Sequence, residues 1–404
     1  MVDAAGTTKY TYYAGGLPNI EDGPWASDTV TYTYNNRLLA SLSLQQPTGT
    51  WTNGFTYDAA HRLTNLTSQA GSFVYSYTVG QTCRLPIKLS LPNTSYITNT
   101  YDSVARLTGT YLDNSSNTIL DKSEYLYNQG NQRIRLTRTD GSYYTNNYDN
   151  IWQLTWADST VSTEDRGYLY DAARNLNHRT NNGVNTTFTV DSKNQLTGGP
   201  TANYAYDDNG NMSSSSSGYV TYTYDAENQL VTWQNYNTAK TDYVYDGRGR
   251  LRKRLEYTWM GSPYNQWSSP TETRYVHDGM RVIQERNSGN TPQVAYTRGS
   301  DLDGTFEGAG GIGGLLTRSH GYSAGTWSTH NHYHADGGGN ITYMVNSSQS
   351  MAASYRYDPF GNTISSSGAL ASTNLYRFSS KEIHPNSGMY YYGYRFYSPT
   401  IKGG

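Results

Sequence analysis

The dipeptide Tyr-Asp recurs along this chain of 404 residues, and each copy opens a similar phrase that ends a few residues later in Leu, Met or Ile. Between the Asp and that apolar residue the phrase carries Gly, Asn, Gln or Arg. Eight copies begin at Tyr57-Asp58, Tyr101-Asp102, Tyr148-Asp149, Tyr170-Asp171, Tyr206-Asp207, Tyr224-Asp225, Tyr245-Asp246 and Tyr357-Asp358. Self-similarity of this kind marks a repeat architecture.

Each phrase predicts one β-hairpin. A second aromatic residue often stands two positions before the first, as Tyr222 does before Tyr224, and such a pair shares one face of a strand. The Asp can accept a hydrogen bond from its own backbone two residues on, and the following Gly or Asn tolerates a positive φ. The apolar residue then begins a returning strand, so the chain is a series of hairpins and the fold class is all-β with little helix.

The spacing of the phrases agrees with this interpretation. From Tyr127 to Tyr148 is 21 residues and from there to Tyr170 is 22, which at roughly 3.3 Å per residue allows two strands and two turns per unit. Some units are degenerate, for example Val190-Asp191 and His277-Asp278.

Composition favours a thin wall. Hydrophobic residues are 35% of the chain, but 41 residues are Tyr, and Leu, Ile and Val are too few for a thick two-layer core. A Tyr ring packs against its neighbours while its hydroxyl stays hydrated or hydrogen-bonded. Cross-strand aromatic pairs contribute about 0.2–1 kcal/mol each. We therefore predict a ribbon one sheet thick, wet on both faces and spiralling into a shell-like wall, rather than a sandwich.

Charge, cysteine content and hydropathy exclude several classes. The net charge of −2 argues against nucleic-acid binding through phosphates, and the single Cys83 cannot form an internal disulfide. The sequence has no run of 18 or more apolar residues, so it predicts no membrane-spanning helix. The first residues carry no basic and apolar signal region, and repeat-like sequence begins at Lys9. We expect Met1 to be a cut made within a longer chain, because terminal repeats are usually atypical.

These motifs resemble a known family. The phrase is similar to the YD repeats of bacterial Rhs proteins, of the C component of insecticidal toxin complexes and of animal teneurins. The C-terminal part resembles the Rhs repeat-associated core and the segment before it. The stretches that carry this second likeness are Tyr296–Leu302, Gly308–Leu316, Tyr355–Asn362, Tyr376–Ser379 and Gly388–Pro399.

The resemblance implies a hollow shell wound from one β-ribbon, which encloses a C-terminal toxin or other protein guest. It divides the chain into a YD-repeat array over 1–295 and a repeat-associated core region over 296–404. In many members an aspartate-based self-cleavage site lies just beyond the core. Here Thr400 is followed only by Ile401–Gly404, so neither cleavage nor toxicity is expected of this chain.

The main hypothesis is thus a structural, non-enzymatic and cofactor-free shell segment, secreted or displayed at a bacterial surface. Its partner is a protein guest, and a segment cut from a spiral could also associate with itself through exposed strand edges. The alternative is a cell-surface adhesion or carbohydrate-binding module, in which exposed Tyr and Trp stack on sugars. A hydrolase has no motif in its favour, because no nucleophile is placed beside a recognisable activating group.

Three histidines suggest a possible metal site. His330, His332 and His334 alternate, so on a strand they share one face, a geometry that a metal ion could use. The competing interpretation is favoured: His332 and His334 occupy the positions that paired tyrosines hold in other units, which makes them structural. We therefore assign no metal ligand.

Two Gly-containing segments have similarly weak signals. The run from Asp301 through Asp303 to Gly304 is a fragment of a calcium-loop pattern without the remaining ligands, and we expect a loop between strands. The run from Gly308 to Gly314 has the glycines of a phosphate loop but not its Gly-Lys-Ser/Thr ending, and we expect a close-packed bend or a flexible excursion.

A basic stretch and a serine run complete the candidates. The basic residues are Arg248, Arg250, Arg252, Lys253 and Arg254. Alternation would place the arginines on one face, and we predict an exposed strand face with acidic partners rather than a nucleic-acid site. We predict a turn or short loop for Ser213–Ser217. No catalytic or cofactor-binding residue is assigned.

Overall fold

A computed structural model describes residues 1–200 and 203–402. About 53% of the chain is strand and 2% is helix, which confirms the all-β prediction. The described helices are single 3-10 turns at Ser162–Glu164, Ser216–Gly218 and Phe378–Ser380. None of the helices in these ranges is long and apolar enough to cross a membrane.

The N-terminal half forms nineteen short strands. They are β1 Val2–Asp3, β2 Gly6–Thr7, β3 Lys9–Tyr12, β4 Pro18–Asp22, β5 Val30–Asn35, β6 Leu38–Gln45, β7 Thr50–Tyr57, β8 Leu63–Ser68, β9 Gly71–Ser76, β10 Lys88–Ser90, β11 Tyr96–Tyr101, β12 Leu107–Asp113, β13 Ile119–Tyr127, β14 Arg133–Arg138, β15 Tyr143–Tyr148, β16 Leu154–Ser159, β17 Arg166–Tyr170, β18 Leu176–Asn181 and β19 Val184–Thr187.

Twenty more strands follow in the second half. They are β20 Thr189–Val190, β21 Leu196–Gly198, β22 Ala205–Tyr206, β23 Met212–Ser215, β24 Val220–Tyr224, β25 Leu230–Asn235, β26 Ala239–Tyr245, β27 Leu251–Met260, β28 Gln266–Trp267, β29 Thr271–Asp278, β30 Arg281–Asn287, β31 Pro292–Arg298, β32 Leu315–Ser323, β33 Thr326–Ala335, β34 Ile341–Val345, β35 Met351–Tyr357, β36 Thr363–Ser367, β37 Glu382–Ile383, β38 Tyr390–Tyr391 and β39 Phe396–Tyr397.

Two large antiparallel sheets account for most of these strands. The first contains β3 to β19, and the pairings from each strand to the next follow chain order. The second contains β22 to β36, with β28 paired to β27 at its side. The small β20–β21 pair separates the two sheets along the chain, and β37 to β39 form a three-stranded sheet near the C-terminus. Consecutive pairing is what a series of hairpins produces.

The Tyr of the repeated phrase marks a break in register. At each of the eight Tyr-Asp copies the pairing shifts by one residue, for example between Thr56 and Tyr57 and between Val244 and Tyr245. A β-bulge of this kind bends a strand and increases its right-handed twist. Repetition of the bulge at successive hairpins therefore gives the ribbon a steady curvature.

The wall is thicker than the sequence predicts. One core cluster contains Leu44 and Trp51 of the first sheet together with Ile283 and Trp327 of the second, so the two sheets pack face to face. The indole rings of Trp51 and Trp327 meet edge to face at 5.7 Å between centroids. We call this contact between the sheets the seam.

The opposite face of the second sheet is also covered. A second core cluster joins its strands to side chains of the C-terminal segment, including Tyr376, Met389 and Phe396. As a result, strands β30 and β31 are buried along almost their whole length. The expectation of a single sheet that is wet on both faces is wrong for this part of the wall.

The physical reason lies in which residues are buried. A count of Leu, Ile and Val underestimates this core because some of its residues are polar. The fully buried polar residues include Thr297, Thr317, Ser319, Gln284 and Arg286. Polar side chains can be buried where their hydrogen bonds are made, so a low apolar content did not require a thin wall.

Candidate functional site

The Tyr-Asp turn is the repeated functional unit of this fold. In the copy at Asp246, carboxylate atom Oδ1 accepts hydrogen bonds from the backbone N–H groups of Arg248 and Arg250, at 2.9 and 3.1 Å. Gly249 completes the loop with a φ of 76°. The predicted bond to the backbone two residues beyond the Asp is therefore present, and a second bond is made four residues beyond it.

The second carboxylate oxygen explains the Arg or Asn that stands four residues after the Asp in six of the eight phrases. In this copy Oδ2 of Asp246 accepts a hydrogen bond from Nε of Arg250 at 2.8 Å. The same side-chain bond, from the residue four positions after the Asp, is made by Arg62, Arg106, Asn175, Asn211, Asn340 and Asn362. The sequence carries this signal as the recurrence of Arg or Asn four residues after the Asp, whereas turn conformation alone gives no reason for these residue types.

The Tyr hydroxyl connects one unit to the unit before it. Tyr245 donates to the carbonyl oxygen of Leu230 at 2.8 Å, and Leu230 is the apolar residue that ends the preceding phrase. Equivalent bonds run from Tyr57 to Leu39, Tyr127 to Leu107, Tyr170 to Leu154, Tyr206 to Leu196 and Tyr357 to Ile341. The Tyr and the Leu of the phrase thus form a ladder of hydrogen bonds between neighbouring repeats.

Removal of one rung should cost a measurable amount of stability. We expect Tyr245→Phe to lower the free energy of unfolding by about 1 kcal/mol, because it deletes one hydrogen bond and keeps the ring. Urea denaturation followed by far-ultraviolet circular dichroism measures this change. Tyr236→Phe is the control, since Tyr236 is 58% exposed. Equal effects of the two substitutions would contradict the ladder.

The paired tyrosines are buried to different degrees. Tyr243 is 3% exposed, and burial raises the pKa of its hydroxyl well above the ordinary value. Tyr222, Tyr224 and Tyr245 are half-buried and pack against the same core cluster. Of these four paired tyrosines, Tyr243 is therefore fully buried and the other three are partly buried.

The basic stretch is not an exposed face. Arg250 and Arg252 are 1% exposed and Arg254 is 6% exposed, whereas Arg248 lies at the surface. The prediction of acidic partners is confirmed, but the prediction of exposure is wrong for these three arginines. Their neighbours on other segments cover them, and that long-range packing is invisible in a local pattern.

Buried ion pairs of this stretch join three parts of the chain. An NH2 group of Arg250 lies 2.6 Å from Oε1 of Glu21 on β4, and Nε of Arg250 also bonds Asp246. Arg254 bonds Glu382 of the C-terminal segment, whose carboxylate also accepts a hydrogen bond from Tyr275 at 2.7 Å. The cluster therefore ties the first sheet, the second sheet and the C-terminal segment together.

The three histidines share β33, as alternation predicted, and each ring bonds a neighbouring side chain. Nδ1 of His332 lies 2.7 Å from Oγ1 of Thr317, and Nδ1 of His334 lies 2.8 Å from Oδ2 of Asp121. His330 bonds Ser319 at 2.8 Å. Across residues 1–200 and 203–402, no three His, Cys, Asp or Glu side chains are arranged to hold a metal ion.

The glycine-rich and serine-rich segments are parts of turns and strands. Asp301 begins a turn closed by the bond from its N–H to the carbonyl of Thr305 at 2.6 Å, and its Oδ2 accepts the N–H of Gly311 at 2.8 Å. Gly313 is packed against Leu302, as expected for a close-packed bend.

The serine run differs from the prediction of a turn or short loop in its first three residues. Ser213 to Ser215 belong to β23, where Ser214 and Ser215 pair with Thr221 and Val220 of β24. A 3-10 turn follows at Ser216–Gly218. Pairing with a neighbouring strand overrides the loop preference of a serine-rich segment. Gly403 and Gly404, at the end of the C-terminal region, lie outside the described residues.

Two open grooves are lined by aromatic side chains. One, of about 600 Å³, lies where β17 to β25 meet the C-terminal segment, and Phe188, Phe396 and Lys402 line it. The other, of about 660 Å³, lies between the two sheets. The aromatic residues lining this second groove are Tyr125, Tyr144, Tyr148, Tyr343, Tyr355, Tyr357 and Phe378.

Sequence comparison supports a YD-repeat origin. The Teneurin YD-shell family matches residues 119–260. The tRNA3(Ser)-specific nuclease WapA of Bacillus spizizenii is 30% identical over 219 residues, which are 54% of this chain and 8% of that protein. The tRNA nuclease WapA of Bacillus subtilis is 29% identical over the same length and the same shares. The chain thus spans less than a tenth of the curated relatives that it matches.

Structure comparison extends the likeness to the whole chain. The crystal structure of TcdB2-TccC3 has a TM-score of 0.66 at 16% identity, covering 98% of this chain and 24% of that one. The Photorhabdus luminescens Tc holotoxin pore gives a TM-score of 0.66, also at 16% identity, with 98% and 23% covered. The repeat phrase, the hairpin ladder, the family match over residues 119–260 and the fold agree, and this chain contains YD repeats similar to those of the Teneurin YD-shell family.

Proposed function

We propose that this chain is a wall segment of a YD-repeat shell that encloses a protein guest, such as a C-terminal toxin, for delivery. The observation that supports this most is the continuous curved ribbon, whose fold matches TcdB2-TccC3 over 98% of the chain. A wall must keep a guest apart from solvent, and within each large sheet the strands are paired largely in chain order, which leaves few gaps there. The Tyr–carbonyl ladder and the seam add cross-links in two further directions.

The region 296–404 is proposed to be the repeat-associated core, and 1–295 the repeat array. Strand β31, Pro292–Arg298, spans this boundary, so the two regions share one sheet. The division is therefore one of sequence type within a continuous wall. For the parent protein we propose secretion or display at a bacterial surface.

We further propose that the described wall has no catalytic role of its own. Carboxylates of the phrase, such as Asp58 and Asp246, are occupied by turn hydrogen bonds. The WapA relatives are named as tRNA nucleases, but the aligned part is only 8% of those proteins. After prolonged incubation, intact-mass spectrometry should give a single species near 45.1 kDa. A tRNA substrate incubated with the chain should stay intact. Cleavage of the chain itself or of the tRNA would refute this proposal.

The encapsulation proposal is tested on the natural full-length parent. Electron microscopy should show a closed cavity with density inside it, and limited proteolysis should leave the guest intact until the wall is unfolded by denaturant. The isolated guest is the control, and it should be digested at the same protease concentration. A guest digested equally fast in the native parent would refute encapsulation.

A second function is supported by the tyrosine-lined groove between the sheets. A concave surface with Tyr148 and Tyr343, both half-buried, could stack sugar rings, as an adhesion module would. Titration with soluble oligosaccharides, followed by tyrosine fluorescence, separates the two functions. Saturable binding that Tyr148→Ala abolishes would favour the adhesion function. The absence of a fluorescence change would contradict the adhesion function.

Self-association follows from an end of the second sheet. Strand β36, Thr363–Ser367, ends the strand order of the second sheet and is mostly exposed. Unpaired edges provide templates for further strand pairing. We expect the average mass in multi-angle light scattering to rise with concentration above the 45.1 kDa of one chain. A constant mass of one chain at high concentration would contradict this expectation.

A further inference from the structure

A small cavity beneath the glycine-rich bend is lined by an excess of positive charge. Its volume is about 60 Å³, and its lining includes Arg250, Arg281, Arg298 and Lys381. Glu382 is the acidic residue of the lining, and its carboxylate is already bonded to Arg254 and Tyr275. The cavity lies among β29, β30, β31, the bend and the segment before β37.

Two of these cations lack an acidic partner. Within the described ranges, no carboxylate lies within 4.0 Å of the side-chain nitrogens of Arg298 or Lys381. Nε of Arg298 donates to the carbonyl oxygen of Val282 at 2.7 Å, and Nζ of Lys381 donates to the carbonyl oxygen of Gly310 at 2.5 Å. Arg250 and Arg281, by contrast, are paired with Asp246 and Asp278.

The two unpaired cations lie beside neighbouring glycines of the bend. The position that a Cβ would take on Gly311 is 3.7 Å from NH1 of Arg298, and the corresponding position on Gly310 is 3.7 Å from Nζ of Lys381. Arg281 adds a buried Nε that has no hydrogen-bond partner in the described structure. Glycines at these two positions leave the cavity open beside both cations.

Burying this excess of positive charge is costly. The carbonyl oxygens of Val282 and Gly310 replace part of the lost hydration but supply no counter-charge. Burial, followed by repulsion from Arg298, lowers the pKa of Lys381 to about 8. Asp301 and Glu307 act on Lys381 only from a longer distance, and burial raises the pKa of Asp301 to about 6. An anion in the cavity would neutralise this excess of positive charge.

We propose that this cavity binds a small inorganic oxyanion, phosphate or sulfate, between Arg298, Lys381 and the free Nε of Arg281. Its size is sufficient for a few water molecules, and so for one tetrahedral anion but not for a nucleotide. Since Arg298 belongs to β31 and Lys381 to the C-terminal segment, the bound anion would pin that segment to the second sheet. This role is independent of whether the shell encloses a guest.

The test uses inorganic phosphate as the probe, at constant ionic strength maintained with sodium chloride. Calorimetric titration at pH 7 should show saturable binding to the full chain, and phosphate should raise its melting temperature. Lys381→Met should weaken binding about tenfold or more, since it removes one charge-assisted contact and keeps the apolar stem. Lys253→Met is the matched control, because Lys253 does not line the cavity, and it should bind phosphate as the unchanged chain does.

A second variant makes the outcome decisive. Arg298→Met should also weaken phosphate binding, and if that variant does not fold, Lys381→Met alone decides. The proposal is overturned if the unchanged chain shows neither heat nor a thermal shift, or if Lys381→Met binds phosphate as well as the unchanged chain does.

Discussion

Replacing Arg250 with Met should lower the free energy of unfolding by about 3–5 kcal/mol, the cost of breaking a buried ion pair from one side. Arg250 is 1% exposed and bonds both Asp246 and Glu21. The substitution keeps most of the apolar stem but leaves two buried carboxylates with Arg252, at 3.8 and 3.9 Å, in place of their close partner. It also removes the side-chain bond that closes the turn at Asp246.

The control lies two residues away in the same turn. Arg248→Met changes the same chemical group at an exposed position, and we expect less than about 0.5 kcal/mol, as for most surface substitutions. Urea denaturation of the two variants and the unchanged chain provides the comparison. If Arg250→Met costs no more than Arg248→Met, the cluster is not a structural lock between the sheets. A second variant, Glu21→Gln, should also destabilise, because it weakens the same pair from β4.

This cluster shows where prediction from the sequence succeeded and where it failed. The alternation of the arginines and the presence of acidic partners were visible locally, because both follow from neighbouring positions. Burial was not visible, since Glu21 and Glu382 come from segments more than 100 residues away from the arginines that they bond. Only the folded arrangement of the ribbon brings them together.

The repeat phrase, in contrast, encodes its own geometry. The turn at Asp246 is built by residues within four positions, so the hairpin and the positive φ of Gly249 could be predicted. The bond from Tyr245 to Leu230 spans 15 residues, from the end of one phrase to the start of the next, and the regular recurrence of this spacing was the missed signal. The sequence therefore predicts that each repeat forms a hairpin next to the previous one, but it does not predict how one sheet packs on the other.

The cavity lined by unpaired cations could not be predicted either, because its lining residues come from distant parts of the chain. Arg298 and Lys381 are 83 positions apart, and neither stands in a recognisable anion-binding motif. The glycine run at Gly310 and Gly311 was visible in the sequence, but it lacks the phosphate-loop ending. Its place beside the two cations depends on how the bend folds back beneath β31.

The seam is the other feature on which the wall should depend. We expect Trp51→Ala to lower the free energy of unfolding by about 3–5 kcal/mol, because a large aromatic side chain is removed from a packed core. Trp51 is 0% exposed and its ring meets that of Trp327 on the second sheet. A single sheet wet on both faces would lose far less from the same substitution.

The matched control is Trp152→Ala, since Trp152 is 69% exposed, and it should cost less than about 0.5 kcal/mol. A double-mutant cycle with Trp327→Ala should give a coupling of about 0.5–3 kcal/mol, as expected for side chains in contact. If Trp51→Ala costs less than about 1 kcal/mol and shows no coupling to Trp327, the sheets are held together elsewhere. Separate unfolding transitions for the two sheets in the unchanged chain would lead to the same conclusion. The two sheets would then unfold independently instead of as one packed unit.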